Sequence, residues 1–343
     1  MNPIRLSICI ATLDRARFLR QTLESIFPQA GPEVEVVVVD GGSSDETPVI
    51  VDEGKRRFPR LRSIRLDHPG GVDRDFDLAV SEARGDYCWL FPDDDLLKAG
   101  AISRVLQATR ESREHYALVI ANAEVRTADL TAAVDPVRLW LDADRTYGPK
   151  DQAQLLAETG PYLSYIGGVI IRRDLWTSRD RRAYFGSAFI HVGVIFQAPL
   201  PSDSLVISEP LITIRYGNAQ WSPRSFEIWM FNWPELIWSF SHLPEEARRK
   251  VVPREPWKRA KTLLRYRAAG AYGLKEYQRW IRPRPCSSWI KLMAGLIAAL
   301  PGPYVNAVAR FYYSRFHPRS RLELMDMQSS RFSPGRGGAA NGG

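Results

Sequence analysis

Short apolar runs alternate with longer stretches of helical periodicity through the first two thirds of the chain. "IRLSICIA" (4–11) is apolar and rich in β-branched residues. It leads into "TLDRARFLRQTLESIF", where Phe18, Leu19, Leu23, Ile26 and Phe27 recur at helical spacing. "VEVVVVD" (34–40) is a continuous valine run of the kind that suits a strand covered on both faces. "GGSSDETPVIVDEGKRRF" then predicts a loop and a helix, with Ser44 or Asp45 as N-cap. "LRSIRL" predicts a third strand, "VDRDFDLAVSEARG" a third helix ended by Gly85, and "DYCWLF" a fourth strand. "YALVIANAEV" (116–125) and "YIGGVIIRR" (165–173) add strands, and "SLVISEPLITIRYG" (204–217) adds one or two more. Strand and helix alternating at this spacing argue an α/β fold of βαβ units with a largely parallel sheet.

The pattern changes after about Asn218. "AQWSPRSFEIWMFNWPELIWSFSHL" is aromatic and helix-like, interrupted by Pro234, and "PWKRAKTLLRYRAAGAYGLKEYQRWIR" is basic and amphipathic. "SSRFSPGRGGAANGG" is Gly- and Ser-rich and reads as a disordered tail. The expected organisation is a domain over 1–219, a helical basic region over 220–327 and a tail over 328–343. Charge follows the same division. Through Leu243 there are 27 Lys and Arg against 33 Asp and Glu, and from Pro244 to Gly343 there are 20 against 6. The overall formal charge of +8 therefore hides an acidic front and a strongly basic back.

Cys9, Cys88 and Cys286 share no metal-ligand spacing and two of them lie inside strand-like runs, which points to a reducing, cytosolic setting. The opening "MNPIRLSICIATLDRAR" carries charges where the apolar region of a signal peptide would run, so none is expected.

The chemistry concentrates where strands end. "YCWLFPDDDLLKAG" (87–100) runs from an apolar strand directly into Asp93, Asp94 and Asp95. In open α/β sheets ligands collect outside the carboxyl ends of strands. Asp40, Gly41 and Gly42 follow the second strand, and Thr12 and Asp14 follow the first, so three strand tips bring acids to one rim. Any one of these acids alone is equally a loop residue or a helix cap. Together they favour a hard divalent cation, Mg²⁺ or Mn²⁺, held by one or two carboxylates plus substrate phosphates.

"LSICIATLDRARFLRQTLESI", "VEVVVVDGGSSDET" and "ARGDYCWLFPDDDLLKAGAI" resemble the successive motifs of family 2 glycosyltransferases, which have the GT-A nucleotide-sugar-binding fold. The resemblance covers roughly residues 4–217. "GGVDRDFDLAVSEARGDYCWLFPDDDLLKAGAI" is most similar to bacterial abequosyltransferase-like members that work on lipopolysaccharide O-antigen. The resemblance implies that Thr12, Asp14 and Arg15 line the nucleotide pocket, that Asp40 contacts the base, and that Gly42 and Ser43 allow close backbone approach. It places Asp73 and Arg74 at the base or diphosphate; Arg74 reads equally as a helix-surface ion pair with Asp77. Asp94 matches the metal-ligand aspartate, with Asp93 near the ribose and Asp95 as a neighbouring ligand or support. Pro92 departs from the pattern, standing where many members have the first acid of a D-x-D motif. The implied reaction is glycosyl transfer from a nucleotide-diphosphate sugar, a CDP-dideoxyhexose being one candidate, to a lipid-linked saccharide of a bacterial surface polysaccharide.

Inverting members also use a carboxylate base, but the corresponding stretch "FGSAFIHVGVIF" (185–196) has no Asp or Glu. His191 stands about there and reads either as a base near neutral pH or as a core histidine. Arg215 is a candidate diphosphate clamp, and Asn218 and Trp221 are candidates for acceptor contact or a lid; packing explains Arg215 and Trp221 equally. A non-catalytic sugar-nucleotide-binding subunit and a nucleotidyltransferase are the competing functions. The second would need a Gly-rich phosphate loop after the first strand, which "ATLDRARF" lacks.

Seven of the ten tryptophans follow residue 220, interleaved with Arg and Lys. The uncharged run "LMAGLIAALPGPYVNAVA" (292–309) is broken by Pro301, Gly302 and Pro303, which argues against a continuous transmembrane helix. Short apolar helices flanked by cations suit the inner face of the cytoplasmic membrane, and a packed helical subdomain is the alternative. Nucleic acid is not expected, because no binding motif accompanies the basic charge.

Overall fold

The computed structural model describes residues 4–111, 116–218, 224–317 and 320–333. Two compact units divide the chain: Met1–Arg215 with Phe240–Val251, and Tyr216–Ser239 with Val252–Gly343. The first unit runs to Arg215 and takes in 240–251, a segment the sequence reading assigns to the helical region. There the helix Glu245–Val251 packs on Gln152–Thr159, and Phe240 meets Phe196 with ring centres 6.0 Å apart.

In the first unit the strands are β1 (Leu6–Thr12), β2 (Val34–Asp40), β3 (Leu61–Arg65), β4 (Tyr87–Leu90), β5 (Leu96–Leu97), β6 (Leu118–Thr127), β7 (Ala133–Asp135), β8 (Arg145–Tyr147), β9 (Val169–Arg172) and β10 (Ser204–Tyr216). The helices are α1 (Ala16–Ile26), α2 (Thr47–Arg57), α3 (Val72–Glu82), α4 (Ala101–Glu111), α5 (Gln152–Thr159), α6 (Arg173–Ser178) and α7 (Ile190–Phe196). One sheet runs in the order β3-β2-β1-β4-β9-β6-β10-β5, with β7 added on β6 and β8 on β10. β3, β2, β1 and β4 are parallel neighbours; β9 pairs antiparallel with β4 and with β6. This is a mixed sheet whose parallel half is the βαβ part of the sequence. Burial explains the valine run: all seven residues of β2 are inaccessible, flanked by β1 and β3 and covered on both faces.

Two glycines are required by close approach. A Cβ on Gly85 would stand 2.8 Å from the Ser7 backbone nitrogen, so the glycine serves packing. It does not end the helix, which stops at Glu82. Gly42 has φ +87°, and a Cβ there would lie 2.9 Å from the Leu66 carbonyl oxygen. The N-cap expectation for α2 is shifted by one residue. Glu46 is the cap by position, while Asp45 Oδ1 accepts from the Thr47 amide at 2.9 Å.

The second unit has its own aromatic core. Phe226, Phe231, Trp257, Tyr272 and Ile281 are buried together, and Phe226 stacks on Tyr272 with centres 4.7 Å apart. Tyr272 also donates to the Ala294 carbonyl at 2.9 Å, fixing the helix Ser288–Ala299 on this core.

Candidate active site

The tips of β1 and β2 are tied side by side by the Gly41 amide, which donates to the Thr12 carbonyl at 2.9 Å. Asp14, at φ +53°, turns the chain just past β1. Its amide donates to Ser43 Oγ at 2.9 Å, and its Oδ1 accepts from the Ser44 amide at 2.7 Å. Asp40 Oδ1 accepts from the Ser43 amide at 2.8 Å, while Oδ2 lies 3.8 Å from Arg65 Nε. Thr12, Asp14, Asp40, Gly42 and Ser43 therefore share one rim, as the sequence predicts, with Asp40 buried beneath the loop it supports.

β4 delivers its acids to the same rim. Arg15 Nη2 lies 3.2 Å from Asp94 Oδ2, and Arg15 Nε lies 3.8 Å from Asp93 Oδ1. The Arg15 amide donates to Thr47 Oγ1 at 3.0 Å, so the guanidinium is launched from a fixed backbone. Burial, then the neighbouring Asp94 carboxylate, push Asp93 up to about 7.

Asp95 is withdrawn from this pair. Its Oδ2 accepts from the Tyr165 hydroxyl at 2.6 Å and its Oδ1 from the Arg215 amide at 2.8 Å, with the side chain inaccessible. Burial, then Asp94, hold its carboxyl well above the usual range. Asp95 is a strut here, with both carboxylate oxygens engaged by the protein. Arg215, a candidate diphosphate clamp or packing residue by sequence, is also inward. Its Nε donates to the Asp94 carbonyl at 2.9 Å, its Nη1 to the Ala128 carbonyl at 2.8 Å, and its Nη2 to Gln21 Oε1. A fork spent on three protein acceptors positions the acidic turn from behind.

Asp73 is a further correction. It is buried, and its carboxylate accepts from the amides of Gly186 (2.8 Å), Ala188 (2.9 Å) and Ile190 (3.0 Å). Gly186 at φ +87° and Ala188 at φ +70° curl the loop so that these donors converge on one anion. Arg74 stays exposed, with its guanidinium 5.3 Å from the centre of the Phe185 ring. The alternative Arg74–Asp77 pair is absent, since Asp77 meets Arg181 Nε at 2.7 Å and Trp176 Nε1 at 2.9 Å.

His191 sits as a buried core residue in this arrangement. It lies on α7, every residue of which is buried, with Nε2 2.7 Å from the Leu163 carbonyl oxygen. That contact makes Nε2 the protonated nitrogen, and burial pushes the imidazole down to about 4. Asn218 is half-buried in the second unit, and Trp221 lies outside the described residues.

Sequence reasoning missed three participants. Tyr165 and Gln21 had no motif to mark them; only the fold brings them to Asp95 and Arg215. Asp75 carried a signal, as the middle acid of "DRDFD". Its carboxylate lies against Gly70 and within 3.5 Å of where a Gly41 Cβ would be, and Oδ1 is buried without a hydrogen-bond partner. Burial pushes Asp75 up to about 6, against a smaller opposing effect of the Gly70 amide.

A cation fits this donor set. Asp93 and Asp94 are adjacent carboxylates that meet the same guanidinium, a surplus of negative charge that a hard divalent ion would offset. Among the described residues no group of three or more His, Cys, Asp or Glu is placed to hold a metal by itself. Diphosphate oxygens would have to complete the coordination.

A parallel half-sheet whose first, second and fourth strand tips present acids in this way places a ligand site at that rim, in a chain of the GT-A fold. Residues 7–131 match the family model described as "Glycosyl transferase family 2". Among relatives, the abequosyltransferase RfbV of Salmonella typhimurium is 29% identical over 230 residues, covering 62% of this chain and 67% of that protein. The "GalNAc(5)-diNAcBac-PP-undecaprenol beta-1,3-glucosyltransferase" of Campylobacter jejuni is 27% identical over 112 residues, 32% of this chain and 36% of that one. S. aureus TarS 1-349, solved in complex with UDP, superposes with a TM-score of 0.58 at 16% identity, covering 95% of this chain and 91% of that one.

Proposed function

We propose that this protein transfers a sugar from a nucleotide-diphosphate sugar to a lipid-linked saccharide during assembly of a bacterial surface polysaccharide, at the inner face of the cytoplasmic membrane. The observation that carries this reading is the convergence of Asp14, Ser43, Asp93, Asp94 and Arg15 on one rim inside the family 2 domain. The similarity to an abequosyltransferase supports a CDP-linked dideoxyhexose as the donor. The undecaprenol-linked relative supports a lipid-linked acceptor.

In this mechanism the tight loops after β1 and β2 bring backbone amides close to the nucleotide, and the Asp14–Ser43–Ser44 bonds keep that wall rigid. Asp93 and Asp94 would hold a divalent cation, which would supply positive charge to offset the negative charge developing on the departing diphosphate. Arg15 adds fixed positive charge beside both carboxylates. Arg215, Tyr165 and Asp95 brace the turn from beneath, so that Asp94 does not relax when substrate enters. An acceptor hydroxyl then attacks the anomeric carbon as the nucleotide diphosphate leaves, the hydroxyl proton passing to water or to the departing diphosphate.

A thermal-shift panel of CDP, UDP, GDP and ADP and their sugar conjugates, with Mg²⁺ or Mn²⁺, tests this. Selective stabilisation by one diphosphate family, strongest for CDP, is expected. No shift with any of them would overturn the reading.

A further inference from the structure

The helices Ser288–Ala299 and Gly302–Phe316 meet at a bend of 95°. No single helix among the described residues is long and apolar enough to cross a membrane, but the bent pair together has the length and apolar composition of a broken span. Each helix has one face spent on the protein. On the first, Ala294, Ile297 and Ala298 are buried in the aromatic core, with Ile290 and Met293 packed against it. On the second, Val305 is buried with Ala268 and Met327, flanked by Ala309 and Tyr313. Asn306 is locked by donating to the Ala268 and Met327 carbonyls at 3.0 and 2.8 Å.

The opposite faces carry large apolar side chains into solvent. On the first helix and just past its end these are Trp289 (72% exposed), Leu292, Leu296 (60%) and Leu300. On the second they are Tyr304, Val308, Phe311 (68%) and Phe316. Spacings of three and four place Trp289, Leu292, Leu296 and Leu300 on one stripe and Tyr304, Val308 and Phe311 on another, with Phe316 five residues further on. A soluble monomer rarely leaves a contiguous array of this kind uncovered. The charges within 288–316 are Lys291, Arg310 and Arg315, with no Asp or Glu, and the chain from Pro244 onward has 20 basic against 6 acidic residues.

We propose that this bent pair is an interfacial anchor that lies in an anionic phospholipid bilayer, its two apolar stripes immersed at the headgroup–acyl boundary and Lys291 and Arg315 at the phosphates. Charge complementarity selects the occupant: a partner protein or second copy would not call for a surrounding surface so depleted of acids, whereas an anionic leaflet attracts each nearby cation. The bend keeps both segments short of a span, so each lies in the plane of the interface. The inference deepens the membrane part of the proposed function. Its failure is separable from failure of the catalytic reading, because donor hydrolysis needs no bilayer.

The test is co-sedimentation of the full chain with vesicles of phosphatidylcholine alone and of phosphatidylcholine mixed with phosphatidylglycerol. Wild type should bind the anionic vesicles, more weakly as salt rises. The exposed triple variant Trp289→Ser, Leu296→Ser, Phe311→Ser should lose about 1,000-fold in partition, since each immersed side chain contributes a factor of about ten. Its thermal midpoint and donor hydrolysis should be unchanged. Equal binding by variant and wild type, no binding to anionic vesicles, or a wild-type dimer abolished by the same triple change would overturn the proposal.

Discussion

Replacing Asp73 by alanine separates a structural carboxylate from a substrate-binding one. Three amides converge on it: Gly186 and Ala188 in a loop that water reaches, and Ile190, whose amide is buried at the start of α7. The exposed pair can turn to water, so each lost bond costs about 0.5–1.5 kcal/mol, while a buried amide left without an acceptor costs about 1–3 kcal/mol. Their sum centres near about 4 kcal/mol, a large part of the stability of an ordinary domain. Ala188 adds to the effect, because its left-handed backbone loses the anion that offsets its strain. Urea unfolding should show the midpoint falling with an unchanged slope, and hydrogen exchange at 186–190 should accelerate in the folded state. Donor affinity measured well below the new unfolding midpoint should stay within about threefold of wild type, a change of well under 1 kcal/mol. Unchanged stability together with a large rise in donor KM would refute the clasp and return Asp73 to the nucleotide.

His191→Gln should retain most transfer activity, and the kcat profile should lose no limb with it. Because burial depresses the folded imidazole to about 4 from about 6.5, this group's contribution is present above about pH 6.5 and is lost as pH falls towards about 4. The variant's stability should therefore vary less across that window by pH-resolved urea melts; an activity collapse with normal folding would contradict the core assignment. Asp75 has the opposite sign, since its carboxyl is raised to about 6 and its charged form is the disfavoured one. Asp75→Asn should raise the thermal midpoint at pH 8 and leave it nearly unchanged at pH 4, and a fall at pH 8 would show that Oδ1 has a partner when folded.

The parallel half of the sheet was legible because its strands and helices have distinct periods and are short. β2 matches its valine run residue for residue, and the acids after β1, β2 and β4 meet as the strand-end rule requires. The direction in which a polar side chain turns was not legible. Asp73, Asp95 and Arg215 are polar residues of the right type in the right neighbourhood, yet each is engaged by backbone or side-chain groups from distant segments. Local sequence carries no record of Gly186, Tyr165 or Ala128 standing nearby. The aromatic C-terminal stretch divides in the same way. Trp233 and Trp257 are core, whereas Trp289 faces solvent, and composition alone treats them alike.

The most direct test of the nucleotide-diphosphate rim is calorimetric titration of CDP into wild type and Asp94→Ala, each with and without Mn²⁺. The account predicts that Mn²⁺ tightens binding to wild type by about tenfold or more, that this increment vanishes in the variant, and that both proteins unfold at similar temperatures. An equal Mn²⁺ increment in the two proteins would contradict it.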